Sequence, residues 1–311
     1  MADITAARIN NLQSRIELIL GNGAGANGYG QTVSSSQVSN QSGVIEAADI
    51  NNMYTDMIKA RVHQVGPGDQ GIAQVVQNLN VVAEETSFFV NDQGVVSSDA
   101  EGALKGIADF ERLMSSIEVD KFLVHPSQAE LEFAIRDRLT SGWNGLRYQE
   151  VSVTFNNADH RRHFFNTGGE IRFSASNTSA TTPKGLDWTE LCSEIGTVSF
   201  KANSTTSSGD GAGSVLGNYQ LTTSYQTVYQ KVGAGTYSGV YSGNLYTIKA
   251  KYIADLPNVI FFRIEFNDVV FDNNIDNDVD GSLESVVQQF RADGSNVSIS
   301  SPNYNNESTL S

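Results

Sequence analysis

The chain has 311 residues, 20 Lys and Arg against 35 Asp and Glu, a formal net charge of −15 and a single cysteine, Cys192. That acidity argues against a direct nucleic-acid partner, since duplex DNA demands a basic face to displace its counterions, and it disfavours an anionic membrane surface. One cysteine excludes an intrachain disulfide framework, and no run reaches the ~18 apolar residues of a membrane span, so membrane insertion is not expected. From residue 4 to 20, Ile9, Leu12, Ile16 and Ile19 recur at spacings of one helical face, with Asp3 or Thr5 as N-cap and Gly21 as stop. Residues 21–43 are Gly, Ser, Asn and Gln with almost no large apolar side chain, and read as a flexible or partner-ordered loop. A second helix is expected from Glu46 to Gln64, with Ile50, Met53, Tyr54, Met57, Ile58 and Arg61 on one side and Gly66, Pro67 and Gly68 ending it. A third runs over 99–117 through Leu104, Ile107, Phe110, Leu113, Met114 and Ile117, with Asp99 as a cap.

Narrow apolar stripes require burial. We assign Ile9, Leu12, Ile16, Ile19, Ile50, Met53, Met57 and Arg61 to an assembly interface between subunits; the competing reading packs the two helices within one chain. Beyond residue 119 the period changes to two, in 129–136, 150–155, 246–252 and 259–266, the last two turning at Asp255–Asn258. Tyr219–Val232 adds a strand, Gln288–Arg291 and Val297–Ser300 close the sheet, Leu186–Ile195 is a short helix, and the polar tail 301–311 is extended. The expected fold class is α+β: a helical assembly region over 1–118, then an antiparallel β-sandwich over 119–311. Cys192 is expected as a buried apolar residue.

The motifs that might carry chemistry are weak. Gly23, Gly25 and Gly28 match a dinucleotide fingerprint, but the polar run that follows is no amphipathic helix whose amides would hold a phosphate. Asp276, Asp278 and Asp280, then Gly281, match the start of a calcium loop with Glu284 at its ninth position; the twelfth is Val287, so the bidentate carboxylate is missing. Calcium is thus the one cofactor to test, against an acidic solvated turn, and no other cofactor is expected. His160 and His163 share a helical spacing without a third ligand nearby, and Arg161 and Arg162 read as carboxylate partners. No nucleophile elbow or triad is legible, and the chain reads as noncatalytic. Tyr237 and Tyr241, in a Tyr-rich stretch, suggest surface recognition of glycan, against ordinary sheet packing.

The run His160–Ala175 (HRRHFFNTGGEIRFSA) reads as a hairpin of Phe164 and Phe165 with Ile171–Ala175, turning at Gly168 and Gly169. This run, with Leu186–Leu191, Ile195–Phe200, Tyr219–Tyr229, Phe262–Asp268 and Val279–Leu283, resembles virion structural proteins of tailed bacteriophages, the T4-like phages of marine cyanobacteria. The likeness runs from about residue 119 to the C-terminus and less clearly into the helical part. It implies a particle component of the neck, collar or tail, made in the host cytoplasm and located in the virion. Such a component would be fibre-like, form a homo-oligomer, dock through its N-terminal helices and contact other neck or tail proteins. The alternative is a receptor-binding module of the tail that contacts host-surface carbohydrate.

Overall fold

A computed structural model describes residues 5–38, 45, 47–67, 107–269 and 278–310. In chain order the described elements are α1 (Ala6–Leu20), α2 (Ala47–Val65), α3 (Ile107–Val119), β1 (Ala129–Leu139), β2 (Leu146–Thr154), α4 (Ala158–Asn166), β3 (Glu170–Thr178), α5 (Pro183–Glu194), β4 (Val198–Phe200), β5 (Thr205–Ser207), β6 (Gln226–Val232), β7 (Leu245–Ile253), β8 (Leu256–Asn267), β9 (Ser282–Ala292) and β10 (Asn303–Ser308). The fold is α+β, as the change of period predicts. Its compact units are nevertheless not two consecutive stretches. One comprises Met1–Glu130, Arg162–Gly168 and Ala292–Ile299, the other Leu131–Arg161, Gly169–Arg291 and Ser300–Ser311. The expected division at 118/119 therefore misses two short returns of the chain into the first unit.

In the first unit, the Thr5 side chain accepts the Arg8 amide and starts α1, and the Gly21 amide closes it on Glu17 O. Ile9, Leu12 and Ile16 of α1, with Met53 and Met57 of α2, are wholly buried, and Ile19 and Ile50 nearly so. They lie among Ile107, Phe110, Met114 and Ile117 of α3, all wholly buried too, and the Tyr54 ring meets Phe110 edge-on at 6.0 Å. Polar clamps fasten the rim. Arg8 grips Glu111 with two bonds of 3.0 and 2.9 Å, and Arg15 grips Glu118 with two of 2.8 Å. Arg61 Nη1 reaches Asp120 at 2.5 Å. The stripe assigned to a subunit interface is thus buried by the chain's own helices, the arrangement set against it above, because a third apolar helix supplies the complementary face. Residues 99–106, with the proposed cap Asp99, lie outside the described residues.

The second unit is a sandwich of two five-stranded sheets, ordered β1-β9-β3-β4-β5 and β10-β2-β8-β7-β6. Both sheets pair antiparallel strands: β2 meets β8 from Leu146 opposite Asn267 to Thr154 opposite Val259, and β3 meets β9 from Glu170 opposite Phe290 to Thr178 opposite Ser282. Alternation buries Ile260, Phe262, Ile264 and Phe266 of β8. The Phe262 ring contacts both Phe173 and Phe200 of the other sheet, each at 5.0 Å. A second aromatic cluster links Trp143 to Trp188 at 4.9 Å, Trp188 to Phe266 at 6.1 Å and Phe266 to Tyr246 at 5.2 Å. Under α5, Lys184 Nζ lies 2.6 Å from Asp268 Oδ2 with both side chains wholly buried. Cys192 is buried as expected, and burial pushes its thiol up to about 12.

Several local expectations change. Phe164 and Phe165 lie in helix α4, not in a hairpin: Asn157 Oδ1 accepts the His160 amide and caps its start. The helix ends at Gly168, φ 77°, where an added Cβ would sit 2.8 Å from Val124 Cγ1. Only Gln226–Val232 of the strand expected from Tyr219 forms; Asn218–Gln220 is a 3-10 turn. The β7–β8 turn is tighter than expected, with Ile253 opposite Leu256. The polar tail is extended, and more: Asn303–Asn306 pair with Thr154–Val151 as an edge strand.

Breaking the Lys184–Asp268 pair takes the counter-charge from one wholly buried group. Lys184→Met is expected to lower the unfolding free energy by about 3–5 kcal/mol, and Lys184→Met with Asp268→Leu to recover most of it, read from urea midpoints. Equal losses in the single and double variants would show that the two charges are not energetically coupled.

Candidate functional site

In the first unit the candidate site forms around the glycine-rich segment after α1. The chain doubles back there, with Tyr29 N bonded to Ile19 O at 2.8 Å, and Gly30 and Gln31 N bonded to Gly21 and Leu20 O at 2.9 Å. Carbonyls left over by this irregular path are met by side chains far along the sequence. Arg162 Nη1 donates to Asn22 O and Asn27 O at 2.5 Å, His163 Nε2 lies 3.0 Å from Asn22 O, and Asn166 Nδ2 donates to Gly28 O at 3.1 Å. The His163 ring lies close over Gly30, φ 70°, where a Cβ would come 2.3 Å from Nδ1. Further on, the Asp56 carboxylate accepts the Ser34 and Ser35 amides at 2.8 and 2.7 Å, and Asn10 exchanges bonds with Val38. Residues 21–38 are therefore fastened by their own chain, which corrects the flexible-loop expectation; 39–44 lie outside the described residues.

Behind this segment sits a buried polar pair that the sequence did not single out. Tyr29 donates its hydroxyl to Lys121 O at 2.8 Å and accepts from Gln64 Nε2 at 2.9 Å. The His63 ring meets Tyr29 edge-on at 5.2 Å, and His63 Nε2 lies 3.0 Å from Thr167 O. A carbonyl accepts, so Nε2 carries the proton, and Nδ1 is buried with no partner. Burial lowers the His63 pKa to about 4 against the opposing pull of the Thr167 carbonyl, and burial raises that of Tyr29. At neutral pH the pair is uncharged. Neither group is poised to take or deliver a proton, and their chemistry is that of a polar plug. An open groove of about 740 Å³ runs beside the same segment, lined by Ser14, Glu17, Leu18, Asn22 and Gln31 among others. Among the described residues Glu17 is its only titratable lining residue.

The second unit repeats the pattern. Arg161 Nε donates to Asn218 Oδ1 at 2.7 Å and Nη1 to Pro257 O at 2.9 Å, with burial lowering its pKa to about 10. His160 Nδ1 accepts the Asn156 amide and Nε2 lies 2.9 Å from Ser300 O, so both ring nitrogens are occupied. Arg161 thus holds a carbonyl and a side-chain amide, Arg162 holds two carbonyls, and His160 and His163 each bond main-chain groups. Asp187 accepts the Tyr237 and Ser238 amides at 2.9 and 3.3 Å. That loop leaves Tyr237 53% exposed and Tyr241 only 2%, so the two do not form one surface patch.

The described members of the calcium motif also part company. The Asp280 carboxylate accepts from Thr181 N and Oγ1 at 2.7 and 2.8 Å and from Thr182 Oγ1 at 2.6 Å. Burial opposes its ionisation, yet these bonds prevail and hold its pKa below the ordinary value. Asp278 accepts from Asn144 at 3.2 Å, while Glu284 pairs with Arg138 and lies 3.7 Å from Arg136. Asp276 lies outside the described residues. Among the described residues no three His, Cys, Asp or Glu gather as metal ligands.

The neutral His63 has a pH signature. Its pKa falls from 6.5 unfolded to about 4 folded, so the unfolded chain binds the proton first as pH drops. Stability is complete above pH 6.5 and is lost at about 1.4 kcal/mol per pH unit, down to the folded pKa, for about 3 kcal/mol in all. His63→Gln should be less sensitive over that window, so the stability gap between wild type and variant should shift by that amount. A gap in urea stability that stays flat from pH 7 to 4 would refute the neutral, buried assignment.

Comparison of the chain with protein-family models, with curated proteins and with solved structures gives no match.

Proposed function

We propose that this chain is a noncatalytic structural component of a tailed-phage particle, in the neck, collar or tail apparatus, working as one of several copies among other particle proteins. The resemblance of the segments within 160–283 supplies the particle. The observation that supports a structural role is what the most chemically endowed segment does: in the run from His160 to Asn166, His160, Arg161, Arg162, His163 and Asn166 are all bonded to main-chain groups within their own units. Side chains committed to fixing irregular backbone serve a scaffold, and they give shape to loops at the expense of free groups for reaction.

Docking through the apolar stripes of α1 and α2 is not part of this reading, because those stripes are filled. Contact with neighbours falls instead to exposed side chains, among which Leu131 and Phe133 of β1 are 51% and 54% exposed. The glycan-binding reading gains no support from Tyr241, which is buried.

The test is localisation and dependence. Quantitative mass spectrometry of gradient-purified particles should find the chain at a fixed copy number, immunogold should place it on the neck or tail, and particles lacking it should assemble defectively. Normal particles assembled without it, together with binding of the purified protein to host envelope, would replace the structural reading by an adhesin; absence from washed particles would remove both.

A further inference from the structure

We propose that Lys184 and Asp268 condense after folding into an amide, a covalent cross-link from Nζ of the lysine to Cγ of the aspartate that ties α5 to the end of β8. Both residues belong to the second unit. Nζ lies 2.6 Å from Oδ2 with both side chains wholly buried. For ordinary bond lengths and angles that puts Nζ roughly 3.4 Å from Cγ, within the separation of about 3–3.5 Å from which an intramolecular attack starts. Apolar neighbours keep water away. Trp188, one turn after Lys184 on α5, and Phe266, two residues before Asp268 on β8, are wholly buried and meet at 6.1 Å, and Trp143 closes on Trp188 at 4.9 Å. The main chain around each group is also held. Thr182 Oγ1 accepts the Gly185 amide at 3.1 Å at the start of α5, the Asp268 amide bonds Gly145 O at 3.0 Å, and the next amide, Val269 N, bonds Asn244 Oδ1 at 3.2 Å.

A charge pair in such a place has lost the hydration that partly exposed pairs keep: the lysine is 33% exposed in Lys249 with Glu265 and 26% in Lys59 with Asp56. The ion pair of the freshly folded chain is the precursor. Passing one proton from Nζ to the carboxylate gives a neutral acid and a neutral amine, and the neutral lysine amine is a nucleophile. Its lone pair attacks Cγ, the Cγ–O bond breaks, and the oxygen leaves as water, carrying the acid proton and one proton from the nitrogen. The product is an uncharged amide, and no oxidant, reductant or second reactant enters. Condensation of a free amine with a free acid is unfavourable in water, but groups fixed in attack geometry behave as though at effective molarities on the order of 10⁵–10⁸ M, and the product removes both buried charges. The bond closes the chain from α5 through β4, β5, β6, β7 and β8 into one covalent ring that takes strands from both sheets. Unfolding then cannot part α5 from β8, which restricts the unfolded chain as a disulfide does.

The cross-link does not depend on the virion reading, and its test is made on the purified full-length chain. Intact mass spectrometry of the denatured protein, with allowance for removal of Met1, should find most molecules lighter than the sequence requires by one water. Trypsin should then fail to cut after Lys184 and should release a branched peptide that joins the segment holding Lys184 to the segment holding Asp268. Lys184→Arg keeps the positive charge without the amine, so it should show its full mass and migrate apart from the wild type in a denaturing gel. A full sequence mass after prolonged incubation of the folded protein would overturn the proposal. So would a lost water that maps to a linear peptide, such as a succinimide at Asp280 before Gly281. Should Lys184→Arg misfold, the wild-type mass and the branched peptide decide alone.

Discussion

A peptide group removed from water must find a partner, and in irregular backbone the partner is not supplied by a helix or a ladder. Much of this protein depends on that constraint. The segment 21–38 has few large side chains to bury, so its shape rests on Arg162, His163, Asn166, Asp56 and Asn10, which stand in for the missing ladder. In the sandwich, Asp187, Asp280 and Arg161 do the same for the loops around α5 and before β6. Apolar burial supplies most of the driving force in both units, yet it is the side-chain to main-chain bonds that give the loops one conformation each.

This division of labour explains why residue types that look chemical in the sequence are bonded to the chain's own backbone in the structure. A charged side chain that binds carbonyls of a buried turn is desolvated and geometrically fixed. Removing it leaves acceptors unpaired, at a cost of about 1–3 kcal/mol for each group left buried. Such residues are held by folding stability, whether or not they meet a ligand. The buried Tyr29–His63 pair belongs to the same class: its value lies in filling space with satisfied polar edges, at the expense of one ring nitrogen left bare.

The parts legible in the sequence were those written in local periodicity. Ile9, Leu12, Ile16 and Ile19 give α1 and its buried face, and the alternation in 246–252 and 259–266 gives β7 and β8. What a stripe packs against is not local: that Ile9 meets this chain's own α3 and not another subunit depends on a helix about a hundred residues later. The strand β10 escaped because an edge strand with one wet face, reading Asn-Tyr-Asn-Asn-Glu-Ser, has no apolar alternation to detect. Phe164 and Phe165 misled because two adjacent aromatics fit a buried strand as well as a helix, and the deciding signals were the Asn157 cap and the Gly168 stop. The clasp around residues 22–28 was illegible for the same reason as the α3 contact: its two halves are separated by some 140 residues.

The way the units share the chain bears on how the protein comes into being. The unit that opens the sequence draws on Arg162–Gly168 and again on Ala292–Ile299, where Gln31 reaches Ser298 O. During synthesis α1, α2 and α3 emerge early, but Arg162, His163 and Asn166, which fasten the segment after α1, arrive only after β1 and β2, and Ala292–Ile299 only after nine of the sandwich's strands. The earliest part of the chain is therefore the last to be completed, and contacts of such long sequence separation slow folding. A fragment cut after α3 would carry the apolar helices without their clasp, and for the nascent chain the same interval is when exposed helix faces are most open to chaperones or to aggregation.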